Sequence, residues 1–228
     1  MAKKAFNIAI DGPAGAGKST IARLVAKKLG FVYVDTGAMY RAMALYFIRR
    51  GISPEDEAAV SAAAREADIL IRYEDGAQQV ILNGENVSGL IRTEAVGNMA
   101  SATSVYPEVR AHLLDLQRSL AKSTDVIMDG RDIGTCILPD ADAKIFLTAS
   151  THVRALRRYK ELEEKGERCN LQEIEQDIKE RDHRDMTRAV APLKQAADAV
   201  LVDGSDLTIE QVVERIIGVA VSHGLEVE

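Results

Sequence analysis

The sequence predicts an α/β fold: a five-stranded parallel sheet flanked by helices, with a small antiparallel β insert and a short helical lid. Three observations predict it. Short apolar runs of strand length alternate with longer segments of helical period. The first run passes through a glycine-rich turn straight into a helix, as in sheets whose ligands sit at strand ends. Two hairpin signals interrupt the alternation in one place only.

Phe6–Ile10 is the first strand, apolar enough to be buried on both faces. The stretch Gly12-Pro13-Ala14-Gly15-Ala16-Gly17-Lys18-Ser19-Thr20 follows and fits the phosphate-binding pattern G-x-x-x-x-G-K-[ST] without a mismatch. Ile21, Leu24, Val25 and Leu29 then recur at helical spacing, and Gly30 stops that helix. Phe31–Val34 is the second strand, and Ser53-Pro54-Glu55-Asp56 reads as an N-cap with proline at the first helical position. Between Ile69 and Val87, three strand-like pieces are separated by Asp75-Gly76 and Asn83-Gly84, a unit too small to fold alone. Asp125–Met128, Lys144–Leu147 and Ala199–Val202 complete the strands. Asn170 through Glu173 and Thr208 through Gln211 resemble helix-capping arrangements.

Size and charge bound the partners. With 228 residues, 46% of them hydrophobic, the chain suits one domain over 1–228 with embellishments. A net charge of −6 and 4% aromatic content argue against a nucleic-acid binder, which needs basic surface and stacking platforms. Cys136 and Cys169 lie far apart without a C-x-x-C pair, as expected of reduced thiols in a cytosolic protein. Lys3 and Lys4 ahead of apolar residues echo a secretory signal, but Asp11 breaks the apolar stretch too early. No run reaches membrane-spanning length. A cytoplasmic chain with no membrane partner is expected, and a monomer, since no heptads and no spare apolar stripe remain.

The glycine-rich loop lets backbone N–H groups wrap a polyphosphate at the positive end of a helix dipole. Lys18 can reach the terminal phosphates and the Ser19 hydroxyl can ligate Mg²⁺, so ATP or GTP is the expected ligand. Three further sites follow strands or their helices. In Asp35-Thr36-Gly37-Ala38-Met39-Tyr40-Arg41 the Thr36 hydroxyl, the helix start and Arg41 could hold a phosphate, or the stretch is an N-cap with an exposed arginine. In Val126 through Gly134, Asp129 ends an apolar run in the manner of a Mg²⁺-holding Walker-B aspartate, and Arg131 and Asp132 stand between two glycines. Arg181, Asp185 and Arg188 share one helix face that upstream carries Leu171, Ile174 and Ile178; a surface ion-pair ladder is the alternative. The segment 152–168 interleaves Arg154, Arg157, Arg158 and Arg168 with four glutamates. It reads either as a solvated helix face or as a lid carrying arginines to a transferred phosphoryl group.

A regulatory GTPase would need an N-K-x-D motif, which is absent. A small-metabolite kinase shares the loop and the size but does not need arginines at 41, 110, 131, 181 and 188. With these residues in view, the chain resembles bacterial cytidylate kinases over essentially its whole length. The resemblance rests on Ile10 through Thr20, Asp35 through Arg41, Asp129-Gly-Arg-Asp-Ile-Gly-Thr135, and Glu180 through Leu193; the last two are the more specific. It implies a P-loop NTPase fold and transfer of the ATP γ-phosphoryl group to CMP or dCMP, with ATP and Mg²⁺ as cofactors.

Carried over by position, the resemblance implies that Thr36, Arg41, Arg131 and Arg188 hold the acceptor's α-phosphate. Ser101, Arg110 and Asp132 would recognise cytosine, and Arg181 and Asp185 the sugar; Tyr40 falls among the substrate-binding residues. Lys18, Arg131, Arg188 and the lid arginines Arg157 and Arg158 would be catalytic, with Ser19 and Asp129 on the metal. The region 52–95 would be the inserted monophosphate-binding element and 152–168 the lid. Thr36 departs from the serine expected there, and Ser19 from the glycine of some members; both keep or restore a hydroxyl.

Overall fold

The computed structural model describes residues 5–122 and 124–226, so Lys3 and Lys4 lie outside the described residues. All five expected strands form, within two residues of their expected ends. Strand β1 (Asn7–Asp11) leads to helix α1 (Lys18–Leu29), and β2 (Val32–Asp35) runs into α2 (Thr36–Arg49) without a loop. Then come α3 (Glu57–Glu66), the small strands β3 (Ile69–Glu74), β4 (Ala77–Leu82) and β5 (Glu85–Asn86), and helices α4 (Glu94–Thr103) and α5 (Pro107–Leu120). Strand β6 (Val126–Gly130) is followed by a single π-helical turn, Ile133–Ile137, and by β7 (Ala143–Thr148). The chain closes with α6 (Thr151–Glu164), α7 (Leu171–Thr187), β8 (Val200–Asp203) and α8 (Ile209–Ser222). The larger sheet is parallel and five-stranded, ordered β2-β6-β1-β7-β8, and the smaller is β3-β4-β5. Among the described residues no helix is long and apolar enough to cross a membrane.

Two compact units are distinguishable, one built mainly of Val32–Val126 and the other of Phe6–Phe31 with Ile127–Glu228. In the second unit β1, β7 and β8 pair in parallel, with Ile10 opposite Ile145 and Phe146 opposite Leu201. Ile8, Ile10, Ile127, Met128 and Ile145 are almost wholly buried, which is why these runs carry no polar alternation. Helix α8 starts with a capping box, Thr208 and Gln211 each satisfying the other's backbone N–H. Asn170 caps α7 by accepting from the Gln172 N–H.

In the first unit α2 packs against α4 and β4, and α3 against α5, around the fully buried Met39, Met43, Phe47 and Leu113. The two hairpin turns form where expected: Asp75, Gly76, Asn83 and Gly84 all take positive φ, as paired turn residues between twisted strands require. The expected cap at Ser53 does not form. Asp56 caps α3 instead, accepting from Ala59 N–H at 3.0 Å, while Ser53, Pro54 and Glu55 make a turn ahead of the helix. Proline at the first helical position occurs at Pro107 of α5.

Candidate active site

The second unit carries the phosphate loop. After β1 the chain turns at Gly12, where an added Cβ would lie 1.9 Å from the Leu147 carbonyl oxygen, so only glycine lets the loop leave beside β7. Gly15 and Gly17 take left-handed φ of 75° and 90°. Gly17 precedes α1 with no side-chain cap and no acidic residue in the first turn, which leaves the helix's first N–H groups for an anion. Lys18 is buried, and its Nζ donates to the Pro13 carbonyl at 2.7 Å. Burial and the neighbouring Arg131 guanidinium push its ammonium down to about 7, against the pull of Asp129, Asp11 and Asp185. A triphosphate in the loop would supply the anionic charge that restores it.

Ser19 Oγ donates to the buried Asp129 carboxylate at 3.0 Å. A hydroxyl and a carboxylate therefore stand side by side at the end of β6, an oxygen pair of the hard type that Mg²⁺ takes; the two residues fit that ion.

Asp11 has a role that composition alone does not reveal. Its carboxylate oxygens accept from the N–H groups of Ile133 at 2.7 Å and Gly134 at 2.8 Å, pinning the π-helical turn that follows Arg131 and Asp132. Burial pushes this carboxyl up to about 6; Asp132 adds to the rise, while the two N–H donors and Lys18 oppose it. The available signal was a lone aspartate closing an otherwise apolar strand.

Beside the loop, Arg131 Nε donates to Asp185 at 2.8 Å, and Arg188 pairs with Asp132 at 3.4 Å. Asp185 and Asp132 are buried. Burial alone would raise the Asp185 carboxyl, but the charges of Arg131, Arg181 and Arg188 hold it below the usual carboxylate range. Arg181, Asp185 and Arg188 come together as expected, although not along one helix face. Helix α7 ends at Thr187, and Arg188 caps it in an extended conformation with Nε on the Ala191 carbonyl at 2.8 Å. A helix continuing to Pro192 would lose a backbone donor and drive the proline ring into the Arg188 carbonyl. The upstream stripe of Leu171, Ile174 and Ile178 is half-buried, and α7 packs against α6.

The arginines of 152–168 divide. Arg154 is buried and donates to the carbonyls of Ala149 at 2.8 Å and Ala14 at 3.0 Å, and it pairs with Asp182 at 2.7 Å. It braces the phosphate loop from behind. Arg157 reaches the carbonyls of Ala16 at 3.4 Å and Gly204 at 2.8 Å. Arg158 is half-buried and pairs with Glu161 at 3.3 Å, one turn along the same helix.

The first unit holds the other expected residues in two groups. At the end of β2, Asp35 caps α2 through the Ala38 N–H at 2.8 Å and binds the Arg41 guanidinium at 2.9 Å; Arg92 stands 3.9 Å from it. Thr36 is buried beside it. Arg41 keeps a buried Nε without a hydrogen-bond partner. Further on, the Arg110 guanidinium lies 5.6 Å over the Tyr40 ring and contacts the Ser104 carbonyl at 3.4 Å. The Ser101 hydroxyl oxygen is buried without a hydrogen-bond partner. An orphaned buried hydroxyl is costly, which is the state expected of a group that meets its partner on a ligand. Arg92 carried no motif and was not singled out by sequence.

A family model described as cytidylate kinase matches residues 8–222. A cytidylate kinase of Desulfitobacterium hafniense is 50% identical over 215 residues, covering 94% of this chain and 92% of that protein. One from Methylococcus capsulatus is 46% identical, covering 95% of this chain and 97% of that protein. Among solved structures, a gluconokinase from Sinorhizobium meliloti superposes with a TM-score of 0.50 over 96% of this chain and 94% of its own. At 13% identity it shares the fold alone.

Proposed function

Because this chain belongs to the cytidylate kinase family, we propose that it transfers the γ-phosphoryl group of ATP to CMP or dCMP, giving ADP and CDP or dCDP. The observation that carries this reading is a cationic cluster in the loop-bearing unit, Arg131, Arg181 and Arg188 around Asp185. A dianionic acceptor phosphate needs such a cluster, whereas a neutral sugar does not.

An acceptor phosphate oxygen attacks the γ-phosphorus, and the bond from that phosphorus to the bridging β,γ-oxygen breaks in line, leaving ADP. The attacking oxygen is already anionic, so no side chain has to remove a proton. Catalysis then rests on positioning and on charge. Lys18 meets the donor phosphates, and Arg131 and Arg188 meet the acceptor phosphate, each prepositioned by a buried carboxylate. Arg157 and Arg158 reach the transferred group when the lid, 152–168, closes and excludes water. Ser19 and Asp129 would hold Mg²⁺, which would supply charge neutralisation for the phosphates.

Thr36 and Arg41 complete the acceptor-phosphate set, with Tyr40 beside them and the monophosphate-binding insert spanning 52–95. Ser101, Arg110 and Asp132 read cytosine, and Arg181 and Asp185 the sugar. The Ser101 oxygen supports this reading, since the exocyclic amine that separates cytosine from uracil is a donor that a hydroxyl or carboxylate accepts. The protein works as a cytoplasmic monomer and needs neither nucleic acid nor membrane.

An ADP-release assay across CMP, dCMP, UMP, AMP and GMP tests the reading. CMP and dCMP should exceed UMP, AMP and GMP by at least ~100-fold in kcat/KM. Equal turnover of UMP would remove Ser101 and Asp132 from base reading. Absence of turnover with every monophosphate would overturn the reading in favour of a metabolite kinase.

A further inference from the structure

Strand β4 presents Gln78, Val80 and Leu82 on one face, and the paired strand β3 presents Tyr73, Ile71 and Ile69 opposite them. Val80, Leu82 and Ile69 are buried core. The face ends in a polar cross-strand pair, Tyr73 opposite Gln78, where an apolar pair would continue the pattern. Both side chains reach the backbone of β2. Gln78 Oε1 accepts from the Asp35 N–H at 2.8 Å, and Gln78 Nε2 donates to the Asp35 carbonyl at 3.1 Å. Tyr73 donates its hydroxyl to the Tyr33 carbonyl at 3.1 Å, and burial pushes that phenol up to about 12, which keeps it a donor.

In β2 the Val32 N–H is bonded to the Asp125 carbonyl. Backbone groups alternate sides along a strand, so Tyr33 and Asp35 present theirs on the other edge. One glutamine amide thus occupies both backbone groups of Asp35, as a neighbouring strand would. The carboxylate of the same residue caps α2 and holds Arg41. The hairpin is consequently fastened to the one residue that orients Arg41 and leads into Thr36.

We propose that Gln78 is a positioning residue for the acceptor phosphate: through the Asp35 backbone it sets the corner from which Thr36 and Arg41 bind the nucleoside monophosphate. This rests on the reading of Thr36 and Arg41 as phosphate ligands. It gives the insert a task in substrate affinity beyond covering a strand edge.

The test compares Gln78→Leu, Gln78→Glu, Tyr73→Phe and Arg41→Met, measuring KM for CMP and for ATP, kcat and melting temperature. Gln78→Leu loses both bonds to Asp35 and should raise the KM for CMP about tenfold, leaving the KM for ATP and kcat within about twofold. Gln78→Glu keeps the acceptor and loses the donor, so its CMP KM should rise less, about threefold; it carries the test if the leucine variant fails to fold. Tyr73→Phe removes the anchor at Tyr33, away from the corner, and should lower the melting temperature with the CMP KM unchanged. Unchanged CMP KM in every Gln78 variant that folds would overturn the proposal, as would equal rises in both KM values. Arg41→Met should raise the CMP KM at least tenfold. An unchanged value there would instead remove Arg41 from the acceptor site, a failure of the underlying reading that the Gln78 variants do not share.

Discussion

Replacing Lys18 with alanine is expected to lower kcat by at least ~100-fold while the protein stays folded. The fold should survive because the Lys18 ammonium donates to the Pro13 carbonyl of its own loop, and its charge is disfavoured by burial and by Arg131. With triphosphate bound the balance should reverse, since the ammonium would then face the charge that builds on the β- and γ-oxygens during transfer. Losing a preorganised charge of this kind costs about 3–4 kcal/mol in the transition state. Circular dichroism and melting would report an unaltered protein, and single-turnover kinetics would report the loss. Near-normal turnover in the variant would contradict the assignment of Lys18 to the donor phosphates.

The second large effect is expected at Asp185. Its carboxylate is buried, binds Arg131 at 2.8 Å and offsets Arg181 and Arg188. Asp185→Ala leaves three guanidiniums without their shared counter-charge, and removing one partner of such a pair typically costs about 3–5 kcal/mol. Part of that cost should appear as a lower melting temperature. The part that bears on function is selective: kcat/KM for CMP should fall about 100-fold or more, with the KM for ATP changing by no more than about threefold. Isothermal titration with each nucleotide separates the two. Equal losses for both would mean general damage in place of an acceptor-side role.

These effects trace to residues whose legibility differed for physical reasons. The β1–loop–α1 unit was readable because each requirement is local: an apolar run, glycines at positive φ, and a lysine and serine at the helix start. The hairpins were readable because Asp-Gly and Asn-Gly match the turn that twisted strands demand. The cap of α3 was misplaced because Ser53 and Asp56 are both competent caps, and the choice depends on a turn that composition does not decide. Arg188 was assigned to a helix that in fact ends at Thr187, and the sequence shows only that it cannot run through Pro192.

Arg154 looked like its neighbours Arg157 and Arg158 because the sequence shows charge and spacing but not burial. Its partner at the Ala14 carbonyl lies 140 positions away in the chain. Gln78 was invisible for the same reason, its bond to Asp35 spanning 43 positions. What propensity and motif could not supply was the pairing of polar groups across the fold, and that pairing is where the guanidiniums acquire their orientation.

The most direct measurement of the central claim is phosphorus-31 NMR of the protein with ATP, Mg²⁺ and CMP, followed through many turnovers. The account predicts CDP and ADP rising in a one-to-one ratio, with ADP formation nearly silent when CMP is left out. ADP accompanied by inorganic phosphate in place of CDP, whether or not CMP is present, would contradict it.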